Sequence, residues 1–170
     1  MKRIPKSSDI SQAFVQSVLP EDKKYVIKPP HGCSITPDKT YLLLKRTVYG
    51  LKCSSPRHWY ETCEKTLIKL GLQPCPNAPC IFSGTLIIGE PLLYLGLFVD
   101  FIYFSASDKV GEKFKNDFGS EYKVDFQDKI TDFLGMKFAS HVDIYMNQPA
   151  NIRDLIIKKA GLHMPQSLSA

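Results

Sequence analysis

Asp100 is the residue whose chemistry stands out most clearly in this sequence. It is the only charged residue in the run from Tyr94 to Phe104, which consists otherwise of aliphatic residues, aromatic residues and one glycine. A carboxylate buried among such residues is costly unless a cation, a metal ion or a tight turn compensates its charge. Two interpretations stay open on these residues alone: Asp100 is a turn residue, or it is a metal ligand that needs a second carboxylate nearby.

A second group of side chains combines positive charge with aromatic rings. Four cations and three rings interleave in one stretch of the chain: Lys45, Arg46, Lys52, Arg57, Tyr49, Trp59 and Tyr60. Nucleic-acid binding uses these residue types, because cations contact phosphates and rings stack on bases or sugars. A solvated basic face beside an ordinary aromatic core is the alternative. The formal net charge of +5 permits a polyanionic partner without requiring one.

The elements that must position these residues are predicted from periodicity and turn residues. Aromatic and β-branched residues on both sides of Val99 and Asp100 predict a hairpin from about 92 to 105, with Asp100 at or near its tip. A helix is predicted from Pro56 to a stop at Gly71, because apolar residues recur on one face. That face consists of Trp59, Cys63, Leu67 and Leu70.

Other elements flank the hairpin and the first helix. A second helix is predicted after Ser107 or Asp108, with an apolar stripe at every fourth residue. The stripe consists of Val110, Phe114 and Phe118. A proline-rich loop is predicted from 74 to 79, before a strand at Ile81 and Phe82. Short strands are predicted at 25–27, 41–45 and 122–126, a second hairpin over 133–146 and a terminal helix over 152–160.

Asp9 is predicted to end the first strand. The element order indicates an α+β fold, in which an antiparallel sheet is covered by helices on one face. In such a fold the hairpin tip can lie beside the first strand, about 4 to 6 Å away by ordinary cross-strand spacing. Asp9 and Asp100 would then supply carboxylate oxygens for Mg²⁺, and two such ions can clamp the attacking and leaving oxygens of a phosphoryl transfer.

Composition sets limits on the class of protein. The chain has 170 residues, of which 44% are hydrophobic and 23% charged, so it can bury one ordinary core. No segment approaches the roughly 18 to 20 apolar residues that cross a membrane, and no signal peptide is recognisable at the amino terminus. We expect an intracellular protein, cytoplasmic or nuclear, with its five cysteines reduced and buried.

Five segments, in this order, resemble the reverse transcriptase domain of copia-type LTR retrotransposons. They are DISQAF at 9–14, YVIKPPHG at 25–32, LKRTVYGLK at 44–52 with PRHWY at 56–60, LFVD at 97–100, and FLG at 133–135. The resemblance runs from about Pro5 to Leu162. It implies a palm-like domain over 1–148, and the start of a thumb or connection region in the helix of 149–170. It also implies location in a retrotransposon particle or the nucleus.

The resemblance further implies roles for particular residues. Asp9 and Asp100 match catalytic carboxylates that bind two Mg²⁺ ions, or Mn²⁺. Phe14 matches an aromatic residue that excludes the ribose 2′-hydroxyl, and Cys53 lies at or near a nucleotide-binding position. The implied reaction is RNA-templated DNA synthesis, with deoxynucleoside triphosphates and an RNA or DNA template-primer duplex as partners. The duplex contacts predicted from residue type are Lys45, Arg46, Lys52, Arg57 and Trp59.

The sequence departs from the family pattern in three places. The family has two adjacent aspartates where this chain has Asp100 and Phe101, which we interpret as a one-residue deletion. Such a deletion would shift the register of one hairpin arm unless a bulge or a changed loop absorbs it. One residue is added between Leu51 and Pro56, and the family's glutamine is absent there. The fingers segment that precedes the first motif in the family is expected to be missing.

Three classes of function therefore stay open. Removing one carboxylate of a two-metal site costs several kcal/mol, or about a thousandfold in rate. The first class is a reverse transcriptase fragment with impaired catalysis. The second is a catalytically inactive nucleic-acid-binding remnant. The third is an unrelated small α+β domain with affinity for neither metal nor nucleic acid.

Overall fold

The structure is a computed structural model. It describes residues 5–29, 32, 41–51, 55–130, 132–133, 136–140, 144–148 and 152–155. The chain divides into two compact units, Met1–Asp128 and Lys129–Ala170, each of which is considered by itself. The boundary predicted between residues 148 and 149 separates a palm-like domain from the start of a thumb or connection region, and it stays a prediction.

A six-stranded antiparallel sheet forms the centre of the first unit. Its spatial order is β4-β5-β6-β7-β1-β8, so the first strand in the chain lies between two late ones. The strands are β1 (Pro5–Ile10), β4 (Leu72–Cys75), β5 (Ala78–Gly84), β6 (Leu93–Phe98), β7 (Phe101–Ser105) and β8 (Val124–Gln127). Two short strands, β2 (Val26–Ile27) and β3 (Leu42–Leu43), pair outside this sheet.

The described residues of the same unit form three helices: α1 (Ala13–Gln16), α2 (Ser55–Lys69) and α3 (Asp108–Glu121). The predicted helices α2 and α3 are confirmed, because their apolar stripes are buried in one core with the inner face of the sheet. Gly71 ends α2 with a φ of 94°, a conformation that glycine adopts without strain. The α+β prediction is confirmed, and the sheet with helices on one face is compatible with a palm-like fold.

The core is continuous across helices and strands. Trp59 and Phe118 contact Tyr122 at ring-centroid distances of 5.2 and 4.9 Å, which joins α2 to α3. Phe104 of β7 packs on Phe114 of α3 at 5.1 Å. Inward-facing residues alternate along β6 and β7, as a half-buried sheet requires. Among the described residues, one buried side-chain polar atom has no hydrogen-bond partner: the hydroxyl oxygen of Ser8 in β1.

The prediction of a loop from 74 to 79 was wrong at both ends of this segment, because Pro74 and Cys75 belong to β4 and Ala78 and Pro79 belong to β5. Leu72–Cys75 forms β4, which pairs with β5 and includes Pro74. Since β4 is an edge strand, a proline that cannot donate a hydrogen bond is tolerated there. The prediction of buried thiols was also wrong in part, because Cys63 is buried whereas Cys75 and Cys80 are exposed.

The second unit contains three antiparallel strands, β9 (Asp132–Phe133), β10 (Met136–Ser140) and β11 (Ile144–Asn147). The second predicted hairpin is therefore confirmed as β10 and β11. A helical turn covers 152–155, and the rest of the predicted terminal helix lies outside the described residues. No helix in the described part of the chain has both the length and the apolar character that a membrane span needs.

Candidate functional site

The end of β1 and the tip of the β6–β7 hairpin meet at one end of the sheet. The backbone N–H of Ile10 donates a hydrogen bond to the backbone oxygen of Asp100 at 2.7 Å. Asp9 lies directly opposite Phe101 in the pairing of β1 with β7. The two carboxylate-bearing residues predicted from the sequence are thus brought together by the backbone of the sheet.

Asp100 occupies a two-residue turn together with Val99. Val99 has a φ of 55°, whereas Asp100 is not in the left-handed region, a combination typical of a type II′ hairpin turn. A β-branched residue is strained in this conformation. The Trp59 indole N–H donates to the Val99 carbonyl oxygen. Both carbonyl groups of the turn are therefore held from outside the hairpin, one by α2 and one by β1.

The hairpin shows no shift of register. Phe98 pairs with Phe101 and Leu97 with Ile102, and the pairing continues without a bulge to Tyr94 and Ser105. Both arms keep their aliphatic residues Leu93, Leu95, Leu97 and Ile102 on the buried face, whereas Phe98 and Phe101 lie on the opposite face. The register shift expected from a deletion is thus absent. Phe101 occupies the position that faces Asp9.

Asp125 is a third carboxylate near this end of the sheet that the sequence analysis did not single out. It lies opposite Asp9 in the pairing of β1 with β8, and both residues are exposed. The alternation of residues along the strand that contains Asp125 was visible in the sequence. The pairing of that strand with β1 was not visible. Within the described residues no group of three or more His, Cys, Asp or Glu side chains is arranged to hold a metal ion.

Phe14 lies beside this end of the sheet, on α1. Its ring packs on that of Tyr49 with centroids 4.8 Å apart. The pKa of the Tyr49 phenol is raised, first by burial and then by the negative charges of Asp100 and Asp9. Tyr49 therefore lies within electrostatic range of both carboxylates, and the sequence analysis placed it only among the interleaved aromatic residues. The cluster RTVYG was the signal that could have identified it.

A small apolar cleft separates Phe14 from the hairpin turn. Its volume is about 100 Å³, and its lining includes Trp59, Leu97 and Val99. Phe14, the residue predicted to exclude the ribose 2′-hydroxyl, borders the cleft on one side, and Val99 of the strained turn borders it on the other. Its lining offers van der Waals contact and almost no polar groups.

The residues predicted to contact nucleic acid comprise one buried residue, three exposed residues and one residue outside the described part of the chain. Trp59 was predicted wrongly, because its ring is 1% exposed and cannot stack on a base. Arg57 is exposed on α2 and forms an ion pair with Glu61 at 2.8 Å. Lys45 and Arg46 are exposed on the segment that follows β3. Lys52 and Cys53 lie outside the described residues.

Arg46 is partly fixed by the chain around it. Its guanidinium donates to the backbone oxygen of Val15, a residue of α1 next to Phe14, at 3.4 Å. The hydroxyl of the neighbouring Thr47 donates to the backbone oxygen of Phe14. The segment that carries two of the predicted phosphate contacts is therefore attached to the helix that carries the predicted sugar contact.

One of three comparisons with known proteins found a match. The sequence profile of one family, described as "Reverse transcriptase (RNA-dependent DNA polymerase)", matches residues 2–168. Searches of curated proteins and of solved structures each found no match. The match covers nearly all of the chain, and it includes Asp9, Phe14, Tyr49 and Asp100. The chain belongs to the reverse transcriptase family.

Proposed function

We propose that this chain is the palm region of a copia-type retrotransposon reverse transcriptase whose catalysis is impaired by the loss of one carboxylate. Its partners are deoxynucleoside triphosphates and an RNA or DNA template-primer duplex, inside the cell. The observation that supports this most directly is the hydrogen bond from Ile10 to Asp100, which places Asp9 and Asp100 at the same end of the sheet.

The residues present fit one divalent ion better than two. Asp9 and Asp100 offer hard oxygen donors, which suit Mg²⁺ or Mn²⁺, and an ion held by two carboxylates keeps water and phosphate ligands. A bound ion would stabilise the charge on the attacking or leaving oxygen of nucleotidyl transfer. Two ions need more carboxylates than this pair supplies, which is why we expect weak catalysis. Phe14 would restrict the sugar to deoxyribose.

The missing carboxylate is best explained by a substitution at Phe101. The hairpin keeps a two-residue turn and an unbroken register, and Phe101 shares the exposed face of the sheet with its partner Asp9. An aspartate at this position would extend from the same face without any change in chain length. A one-residue deletion is the alternative, and it needs a shifted arm, a bulge or a changed loop; the pairing of β6 with β7 has neither a shift nor a bulge.

The variant Phe101→Asp tests the proposal. We expect it to raise Mn²⁺ affinity at least about tenfold, or 1.4 kcal/mol, because affinity rises with the number of charged ligands. Primer extension on an RNA template should appear or increase in parallel. Tyr103→Asp is the matched control, since it adds the same charge to the same face and strand, two residues further from the turn. It should change neither quantity.

The removal variants Asp9→Asn and Asp100→Asn should abolish the gain in the Phe101→Asp background, whereas Asp108→Asn on α3 should not. Binding of the template-primer duplex is measured in the same samples, so that a loss of catalysis is distinguished from a loss of duplex binding. Equal metal affinity in the Phe101→Asp and Tyr103→Asp variants would refute the proposed site.

A catalytically inactive nucleic-acid-binding protein is the second candidate. It is favoured by the finding that the described carboxylates form no group of three that could hold a metal ion. This candidate predicts duplex binding that is sensitive to salt but unchanged by EDTA, with no extension by any of the variants. The third class predicts neither metal binding nor duplex binding.

A further inference from the structure

The helix α1, which carries Phe14, is too short to be stable by itself. It has four residues, and the side chain of its N-cap residue, Gln12, forms no capping hydrogen bond among the described residues. Isolated helices of fewer than about 12 residues are marginal in water. Contacts with other parts of the chain must therefore fix the position of α1.

Two segments hold the backbone of α1. The Thr47 hydroxyl donates to the Phe14 carbonyl oxygen, and the Thr47 N–H donates to the Ser17 carbonyl oxygen at 3.1 Å. The side-chain amide of Gln16 accepts a hydrogen bond from the Lys123 N–H at 3.1 Å and donates one to the Lys123 carbonyl oxygen at 3.4 Å. These contacts fix the main chain of Phe14, whereas its side-chain torsions depend on how its ring packs.

Tyr49 supplies an aromatic contact for the Phe14 ring. The two ring centroids are 4.8 Å apart and the ring planes are inclined at 47°, which is within the range of favourable aromatic pairs. Phe14 also borders the apolar cleft of about 100 Å³ beside the hairpin turn, so there is open space into which its ring can rotate. Such a rotation would lose the contact with Tyr49. The ring of Tyr49 therefore favours one orientation of the Phe14 ring.

The position of Tyr49 is fixed by its neighbours in the chain. Thr47 is fully buried, and the Val48 carbonyl oxygen accepts a hydrogen bond from the Ser55 hydroxyl at 2.6 Å, which attaches this segment to α2. Gly50 follows with a φ of 101°. The Tyr49 side chain itself is 55% exposed. Its truncation would therefore remove a ring contact without opening a cavity in the core.

The pair of rings lies near the two carboxylates. Burial raises the pKa of the Tyr49 phenol first, and the charges of Asp100 and Asp9 raise it further. An effect of this kind needs charges at short range. A nucleotide whose phosphates share a metal ion with these carboxylates would therefore have its sugar close to the rings.

We propose that Tyr49 is a positioning residue that holds the Phe14 ring in the orientation that excludes the ribose 2′-hydroxyl. Selection of deoxyribose then depends on the pair of rings and not on Phe14 alone. This inference deepens the proposed function and rests on it, because it concerns the selection of the nucleotide at the same site. Tyr49 acts through its ring contact with Phe14, and its hydroxyl has no part in the selection.

The test compares the affinities of the chain for dATP and ATP. The chain is bound in Mn²⁺ to a primer-template whose primer ends in a 3′-dideoxynucleotide and whose next template base is thymine, so nucleotide binds but is not incorporated. Equilibrium dialysis with radiolabelled dATP or ATP gives two dissociation constants, and their ratio is the discrimination factor. The matched control is Tyr94→Ala, since Tyr94 is 47% exposed and lies at the end of the β6–β7 hairpin away from the turn.

We expect Tyr49→Ala to lower the discrimination factor about three- to tenfold, mainly through tighter binding of ATP, because aromatic pair energies correspond to factors of about this size. Tyr49→Phe keeps the ring and should retain the wild-type factor within about twofold, as should Tyr94→Ala. Phe14→Ala should lose most of the discrimination. Adding Tyr49→Ala to Phe14→Ala should have no further effect, because the two rings act as one unit.

Four outcomes would overturn the inference and leave the proposed function standing. They are an unchanged factor in Tyr49→Ala or in Phe14→Ala, an equal loss in Tyr94→Ala, an equal loss in Tyr49→Phe, and a further loss when Tyr49→Ala is added to Phe14→Ala. The last would mean that Tyr49 contacts the nucleotide itself. A wild-type chain that binds neither dATP nor ATP would overturn the inference together with the proposed function, so the two failures are distinguishable.

Discussion

Asp9 and Asp100 show which kind of functional residue the sequence reveals. Asp100 was recognisable because a charge within an apolar run needs compensation, and Asp9 because it stood at the end of a predicted strand. Tyr49 and Asp125 were not recognisable, because their proximity to the site depends on pairings and packing between distant parts of the chain. Local composition identifies a residue that is chemically unusual for its surroundings in the sequence. Residues that become neighbours only through folding are identified from the three-dimensional structure.

Trp59 shows how residue type can mislead when periodicity is ignored. Its ring lies on the same helical stripe as Cys63 and Leu67, and all three are buried. The stripe alone predicted a core position, whereas the nearby basic residues suggested a base-stacking role. Burial also raises the pKa of the Cys63 thiol to about 12, which makes that cysteine unreactive in the folded protein.

The first residue-scale prediction concerns the ionisation of Tyr49. Burial raises its pKa first, followed by the charges of Asp100 and Asp9. A negative neighbour opposes formation of the negative tyrosinate, so removal of the Asp100 charge should lower the pKa. We expect Tyr49 to ionise at lower pH in Asp100→Asn than in the wild-type chain. The measurement is a spectrophotometric titration, with Tyr49→Phe used to identify the contribution of this ring.

The control for this titration is Asp108→Asn, which removes a carboxylate from the first turn of α3. The Tyr49 pKa should be the same in this variant as in the wild-type chain. An unchanged pKa in Asp100→Asn would show that the phenol and the carboxylate are not neighbours in solution.

At the scale of elements, helices and strands with a strong hydrophobic periodicity were predicted correctly, whereas a strand with a weak periodicity was missed. The β6–β7 hairpin and helices α2 and α3 were predicted because each has an uninterrupted pattern of period 2 or period 4. Strand β4 was missed because Pro74 and Pro76 read as loop residues. An edge position removes the cost of the proline, and sequence pattern alone does not reveal which strand will be at the edge.

The element-scale prediction concerns the strained turn. Val99→Gly should stabilise the protein by about 1 kcal/mol, because glycine removes the steric cost of a positive φ and Val99 is partly exposed. We expect the unfolding temperature to rise by about 2 to 4 °C for a chain of this size. Thermal unfolding followed by circular dichroism measures the change.

Val124→Gly is the matched control, because Val124 is a strand residue of β8 outside the left-handed region. Glycine should destabilise the chain at this position by about 1 kcal/mol, since it loses side-chain packing and adds conformational entropy to the unfolded state. A lower unfolding temperature for both variants would argue against strain at Val99.

At the scale of the whole molecule, the sequence predicted the class but not the order of strands. The α+β class follows from the alternation of hairpins and helices. The position of β1 between β7 and β8 depends on pairings over about a hundred residues, such as Pro5 with Ser105 and Asp9 with Asp125. No local pattern encodes such a pairing.

The whole-molecule prediction concerns the first compact unit. Among the described residues, every member of the buried core cluster lies before Asp128. We therefore expect a variant that ends at Asp128 to fold and to unfold cooperatively. Circular dichroism and the fluorescence of Trp59, the single tryptophan, should report coincident transitions. Separate transitions by the two probes, or a gradual loss of signal, would show that residues after 128 are needed for folding.

The central position of β1 has a consequence for synthesis of the protein. At about 5 to 20 residues per second, β1 leaves the ribosome on the order of 10 s before both of its partner strands are complete. During that interval an apolar strand with free edges would associate with other chains. The sequence of β1 instead contains Lys6, Ser7, Ser8 and Asp9, although Ser8 has its hydroxyl buried without a partner in the folded sheet. We expect the polarity of β1 to lower the stability of the finished fold and to keep the nascent strand soluble until β7 and β8 are made.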